Sequence, residues 1–418
     1  MLKEELHALI ANGENSGVEF KRDDVRPEQL AREIVALANF QGGRVLLGVE
    51  DDGSISGIAR ADLETWVMDT VFSRFVHPWL LPFYEEVALD DGRRVAVISI
   101  TQGTAKPYVL RHNGREEIYI RVGSTSRLAT REQQARLFAL GGLLHAETLP
   151  ASGTRFGDLS LERLRDYLLN RVGDTEIPAD QGAWERRLEG LGLMVPQDAA
   201  GSVCTIAGLA LFGHRPRRSL PQAGVRWMAF AGVSKEYQAL DDSLIEGPLV
   251  ALLRDGSGDV LEAGLIERVV ERMRPFVSTE AAGVQDSMRR ERIWFYPIEA
   301  IREALLNALV HRDWTRLPEI EIVSYSDRLE IMSPGALQNS MTVEKMLAGQ
   351  RSPRNPLLVE VMRDYGYVDA RGMGVRRKIV PLVRAATGRD AVFEATEDFV
   401  RVVLPRRAQD VTDTTRAG

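Results

Sequence analysis

Apolar and charged residues alternate over residues 18–21, which places Val18 and Phe20 on one face of a strand and Glu19 and Lys21 on the other. A helical period follows. Leu30, Ile34, Leu37 and Ala38 form a stripe on a helix over residues 27–41, and Gly42-Gly43 ends it. The apolar run 44–49 predicts a short buried strand closed by the turn Asp51-Asp52-Gly53. Leu2, Leu6, Leu9 and Ile10 mark a shorter helix over residues 1–12, and residues 60–75 form another. Strand signals recur at 84–89, 94–100, 108–110 and 117–122. The turns Asp90-Asp91-Gly92 and His112-Asn113-Gly114 between them imply consecutive hairpins. Thr130 with Gln133 three residues on is a capping box that opens a helix to about residue 146.

A linker-like break covers residues 147–156. Amphipathic helices then fall at 159–171 and 184–193, with an apolar piece at 209–212, as in a small winged-helix-like module. Residues 224–231 read as a strand. Leu265, Val269 and Met273 set the phase of a helix over 261–277. Pro297 opens a strongly apolar helix to His311. Two strands follow at 320–325 and 328–332, and residues 409–418 read as a disordered tail. The implied class is α+β: an N-terminal α/β domain over 1–150, a helical middle over 151–217, and a C-terminal α/β sandwich over 218–408.

Composition narrows this reading only at a few points. With 418 residues the chain holds two or three domains, and 44% hydrophobic with 27% charged residues is ordinary for a globular protein. No run is long enough to span a membrane, and the opening Met-Leu-Lys-Glu-Glu is unlike a signal peptide, so a cytoplasmic location is expected. The single cysteine, Cys204, excludes an internal disulfide and any multi-cysteine zinc site. A net charge of −7 argues against a general nucleic-acid coat. It leaves room for a local basic groove, because Arg111, Arg115, Arg121 and Arg127 fall in one segment and Arg215, Arg217 and Arg218 in another.

Two stretches carry candidate chemistry. If the strands at 18–21 and 44–49 are neighbours, Glu19, Lys21 and Asp51 converge at one end of a sheet, with Glu14 approaching from the preceding loop. Clustered carboxylates suit Mg²⁺ or Mn²⁺, and a lysine could orient water or steady phosphate charge. The same residues also describe a solvated strand face and a plain turn. On the helix that Pro297 opens, Glu303, Asn307 and His311 recur every four residues, so a polar face interrupts an apolar helix and needs partners. Polar residues that satisfy neighbouring loops would explain it equally.

The N-terminal pieces, Glu14-x-x-x-x-Glu19-x-Lys21, then Ala-Asn-Phe-Gln-Gly-Gly, then Leu-Gly-Val-Glu-Asp-Asp-Gly, together resemble the Schlafen-type AlbA domain. That resemblance implies a metal-dependent site for cleaving transfer or ribosomal RNA, with Glu14, Glu19 and Asp51 as ligands and Lys21 beside them. Bacterial relatives are also labelled DNA-binding or ATP-binding regulators. Residues 119–126 resemble the same domain. Amides around Gly123, with Arg121, Ser124 and Arg127, could hold a phosphate there, although an ordinary strand-to-helix loop fits as well. Glu303-x-x-x-Asn307-Ala-x-x-His311 resembles the first nucleotide-binding box of the GHKL ATPases, which implies a general base at Glu303 and an Mg²⁺-holding amide at Asn307. Gly372-Met373-Gly374 could admit a phosphate. Residues 290–405 resemble the GHKL-like region of RecG-related proteins. Those ATPases carry Asp-x-Gly-x-Gly where this chain has Ser333-Pro334-Gly335, which removes the aspartate that reads adenine.

Three functions follow. The first is a metal-dependent (Mg or Mn) endoribonuclease acting on structured RNA such as transfer RNA, in stress response or phage defence, under control of an ATP-binding-like region. The second is a non-enzymatic DNA-binding regulator that senses a nucleotide. The third is a scaffold with vestigial sites. RNA or DNA is the expected partner, with no membrane, and homo-oligomerisation stays open.

Overall fold

The computed structural model describes residues 1–103, 105–197, 201–254, 259–280, 292–338, 341–368 and 374–407. Gly372 and the expected tail at 409–418 lie outside the described residues. The chain divides into two compact units, Met1–Leu144 and His145–Gly418, both mixed in helix and strand.

The first unit is built on a strand–helix–strand unit. Helix α1 (Lys3–Ala11) precedes strand β1 (Val18–Lys21), which connects through helix α2 (Pro27–Asn39) to strand β2 (Gly42–Leu47). β1 and β2 pair in parallel, with Val18 opposite Arg44 and Lys21 opposite Leu47. Pro27 sits in the first turn, where its missing N–H costs nothing. Leu30, Ile34 and Leu37 are fully buried, worth roughly 1.5–3 kcal/mol each. α2 stops at Asn39, two residues sooner than its periodicity implies. Asn39 is taken by the fold instead: its side chain donates to Tyr108 O at 2.8 Å and Tyr119 O at 2.9 Å, and accepts from Tyr108 N at 2.8 Å. Gly42 has φ +82°, and a Cβ there would lie 2.4 Å from Ile100 O, so only glycine fits where β2 begins.

Strands β3 (Phe83–Ala88) and β4 (Arg94–Thr101) form the hairpin expected around Asp90-Asp91-Gly92 and complete a four-stranded sheet in the order β1-β2-β4-β3. A second hairpin joins Val109–His112 to Arg115–Glu117. Asn113 and Gly114 both have positive φ at its turn, as a two-residue hairpin requires. Strands β5 (Tyr119–Val122) and β6 (Thr125–Leu128) then lead to helix α3 (Arg131–Leu140), where Thr130 and Gln133 make the expected reciprocal cap. The helical stretch read at 60–75 spans Leu63–Phe75, and its middle, Trp66–Phe72, is wound wider than an α-helix.

In the second unit, a helix over Leu161–Asp166 runs on through the wider-wound Tyr167–Val172 and ends at Gly173, and helix α4 (Gln181–Gly190) follows after a loop. An antiparallel hairpin, β7 (Met194–Pro196) with β8 (Ser202–Cys204), and helix α5 (Ile206–Phe212) follow. Cys204 is buried on β8, as its apolar neighbours imply, and burial pushes its thiol up to about 11. Strands β9 (Val225–Ala229) and β10 (Asp241–Ile245) and helix α6 (Leu265–Val277) lead to helix α7 (Ile298–His311). Next come β11 (Ile320–Ser324), β12 (Arg328–Pro334), helix α8 (Pro356–Asp364), helix α9 (Val380–Thr387), β13 (Val392–Ala395) and β14 (Phe399–Pro405). The six strands form one sheet in the order β10-β9-β11-β12-β14-β13, with β9 parallel to β11 and every other pair antiparallel. One apolar core runs from Ala146 on the N-terminal side to Leu404 on β14, and α7 contributes eight buried residues to it. Among the described residues, no helix is long and apolar enough to cross a membrane.

Candidate functional site

The acidic residues of the first unit are placed by β1. Val18 and Phe20 enter one apolar cluster, while Glu19 points to the opposite side and is buried. One Glu19 oxygen takes the Lys21 ammonium, and the other lies 2.7 Å from Arg121 Nη1. The same guanidinium nitrogen lies 3.2 Å from Glu33 Oε2, and Arg121 Nη2 donates to Asn15 O at 2.7 Å. Ser126 Oγ also donates to Glu33, and Arg32 lies 3.0 Å from its other oxygen. Burial raises the carboxyl of Glu19, and the nearby Glu33 charge adds to this. The bonds from Lys21 and Arg121 oppose them, and the net direction is up.

Glu14 is engaged elsewhere: its Oε1 accepts from Phe20 N at 2.8 Å and fixes the loop that enters β1. Asp51 is exposed on the turn after β2. Among the described residues, no three His, Cys, Asp or Glu side chains are arranged to hold a metal ion. Glu14 and Asp51 are thus not gathered with Glu19 into one ligand set here. Arg121, expected at a phosphate, is placed among acidic groups. Its side chain is fully buried between Glu19 and Glu33, where it neutralises two carboxylates. Ser124 and Arg127 are exposed around the β5–β6 turn. Of the other arginines in that segment, Arg111 is paired with Glu116.

Sequence reasoning missed Glu33. Its signal was its position: it shares the apolar stripe of α2 with Leu30, Ile34 and Leu37, and a carboxylate there must find a cation.

In the second unit, Glu303 and Asn307 lie one turn apart on α7, and Asn307 Nδ2 donates to Glu303 Oε1 at 3.2 Å. Gly374 closes against this pair, since a Cβ there would fall 1.7 Å from Glu303 Oε1. Lys378, unanticipated from the sequence, holds its ammonium 3.8 Å from Glu303 Oε2. The structure thus brings Glu303, Asn307 and Gly374 together, while His311 is exposed at the end of the helix. A half-buried carboxylate and amide beside a glycine that leaves no side chain in the way are hard-oxygen groups that fit an Mg²⁺-bound phosphate chain.

Adenine reading is different. Ser333 donates to Ala308 O at 2.9 Å and is used within the fold. Gly335 has φ +108°, and a Cβ on it would meet Asp313 Cβ at 2.5 Å. Asp313 is buried, with Oδ1 accepting from Thr315 Oγ1 at 2.6 Å and from Thr315 N at 3.0 Å. No carboxylate stands at Ser333 to take an adenine amine.

Residues 14–130 match the family model described as Schlafen, AlbA_2. Residues 318–404 match the model described as "Putative ATP-dependent DNA helicase recG C-terminal". The chain thus joins a Schlafen-type AlbA region to a RecG-related, ATPase-like region, and α7 with Glu303 and Asn307 lies just before the second match. No similar protein is found among the curated proteins. A crystal structure of a Corynebacterium diphtheriae protein is similar at 24% identity and a TM-score of 0.43, covering 97% of this chain and 79% of that one. The solution structure of the N-terminal domain of a RecG-related protein from Nitrosomonas europaea is similar at 22% identity and a TM-score of 0.23, covering 30% of this chain and 92% of that one. The two family matches point to a nucleic-acid-related function.

Proposed function

We propose that this protein binds nucleic acid through its first unit and an Mg–nucleoside triphosphate through its second, with the nucleotide setting the nucleic-acid affinity. The observation that carries this reading is the hydrogen-bonded Glu303–Asn307 pair, held on a largely buried helix and closed by Gly374 and Lys378. Bound Mg²⁺ would supply charge neutralisation for the phosphates. Asn307 would contribute its amide oxygen, since its contact to Glu303 uses Nδ2, and Lys378 would contribute a cation. Glu303 is poorly set up as a general base while Lys378 pairs with it, so binding without rapid turnover is expected. The lack of a carboxylate at Ser333 implies weak selection for adenine. For nucleic acid, the exposed Arg127, Arg131 and Arg136 on β6 and α3 supply phosphate contacts. Titration calorimetry with MgATP tests the nucleotide half: wild type should bind and Asn307→Ala should not. A wild type silent at millimolar MgATP would make the second unit structural.

A metal-dependent endoribonuclease is the second reading. It is favoured by one feature, a buried Glu19 whose carboxyl is raised within a cluster of opposed charges, because perturbed carboxylates concentrate at functional sites. It requires Lys21 or Arg121 to release Glu19 before a cation can be held. The test is incubation of labelled transfer RNA with Mn²⁺. Cleavage by wild type, lost in Glu14→Ala and Asp51→Ala, supports this reading, and intact RNA with folded protein removes it.

A further inference from the structure

The stretch that reads as a linker break in the sequence begins with a carboxylate that is completely buried. Glu147 lies in the short turn Ala146–Thr148, at the start of the second unit. Its Oε1 accepts from Leu357 N at 2.8 Å and its Oε2 from Leu358 N at 2.9 Å. These amides belong to the first turn of α8. Pro356 has no N–H to offer there, so Glu147 satisfies donors that the helix itself cannot. His145 Nδ1 adds a bond to Arg354 O at 3.4 Å.

The residue just before α8 faces the other way. Asn355 is fully buried, and its Nδ2 donates to Val310 O at 2.8 Å and Arg312 O at 2.9 Å. These carbonyls lie at the C-terminal end of α7, one turn beyond Asn307. Arg354 reaches the Gly335 loop, donating to Ala336 O at 2.5 Å and lying 3.4 Å from Asp313. Within five residues, 354–358, the chain is therefore bonded to the end of the candidate nucleotide helix, to the Gly335 loop and to Glu147.

We propose that residues 354–358 and Glu147 form a coupling joint that carries occupancy of the α7 face to the chain that leaves the first unit. This rests on the nucleotide reading above and names its regulation. A displacement of the α7 C-terminus moves Asn355 and with it the first turn of α8. The two amides that hold Glu147 move in turn, and the turn at 146–148 follows. The links are hydrogen bonds to the fully buried Asn355 and Glu147, joined by the short stretch 355–358. Burial pushes the Glu147 carboxyl up to about 7, and the two amides oppose this only in part.

Hydrogen exchange on the full chain, with and without saturating MgATP, tests the joint. In wild type, MgATP should change exchange in peptides covering α7, residues 355–358 and residues 145–149. Glu147→Gln should keep nucleotide affinity within about twofold and retain the α7 response, but lose at least half of the response at 145–149. Glu147→Asp, too short to span both amides, serves if the glutamine variant does not fold. Bound nucleotide with no response at 145–149 in wild type, or an equal response in both proteins, overturns the joint and leaves nucleotide binding standing. Absence of MgATP binding in wild type overturns the functional reading and the joint together.

Discussion

Replacing Glu147 with glutamine should make the protein more stable relative to wild type as pH rises, over a defined window. The buried carboxyl is held up from 4.5 to about 7, first by burial, against the pull of the Leu358 and Leu357 amides. As pH rises past about 4.5, the unfolded chain releases this proton while the folded chain keeps it. Wild-type stability from this group is therefore fully present below about 4.5 and is lost as pH rises to about 7. At about 1.4 kcal/mol per pH unit, the full loss is about 3–4 kcal/mol. Glutamine keeps the shape and one acceptor oxygen but does not titrate. Urea unfolding of both proteins between pH 4 and 8, followed by tryptophan fluorescence (Trp184 and Trp227 are buried in the second unit), gives the difference directly. Wild type should lose ground to Glu147→Gln from pH 4.5 to 7 and then level off. A difference that stays constant with pH would show that Glu147 is not a buried ionisable group and would refute this account of how α8 is anchored.

Arg121→Ala should destabilise the first unit by roughly 3–5 kcal/mol, because it leaves Glu19 and Glu33 buried without their shared cation; a shift under 1 kcal/mol in thermal melts would contradict the buried network. Arg127→Ala should weaken nucleic-acid binding uniformly across sequences and lower the slope of log K against log salt by about 1, as loss of one phosphate contact does; an unchanged slope would take Arg127 out of the interface.

Several local features were readable in advance because each is set by neighbours close in sequence. The β1–α2–β2 unit follows from one alternating run, one helical stripe and a glycine pair that nothing larger could replace. The Asn113-Gly114 hairpin and the Thr130 cap follow from single turns of chain. Glu303 and Asn307 came together because helical spacing alone places them on one face. The surroundings of the acidic residues were not readable, for the opposite reason. Glu19 pairs with Arg121, on a strand 102 residues away, and shares it with Glu33, which lies within an apolar helix where periodicity hides a charge. Glu14 was spent on a backbone amide of its own loop, a bond that composition does not reveal. The supposed linker at 147–156 holds buried Glu147, Ala151 and Thr154, and Glu147 and Thr154 are hydrogen-bonded within the fold. Lys378 went unnoticed because its partner lies on another helix, brought near only by the packing of α7 against the chain after Gly374.

The central claim is that nucleotide at the Glu303–Asn307 face controls nucleic-acid binding. Its most direct test is fluorescence anisotropy of labelled RNA and duplex DNA titrated with the full-length protein, at fixed salt, with and without saturating MgATP. The account predicts that MgATP changes the affinity of wild type for nucleic acid by at least about fivefold, the low end of typical coupling between sites. Asn307→Ala should bind nucleic acid like nucleotide-free wild type and show no change on adding MgATP. Equal wild-type affinities with and without MgATP, from protein shown to be folded, would contradict it.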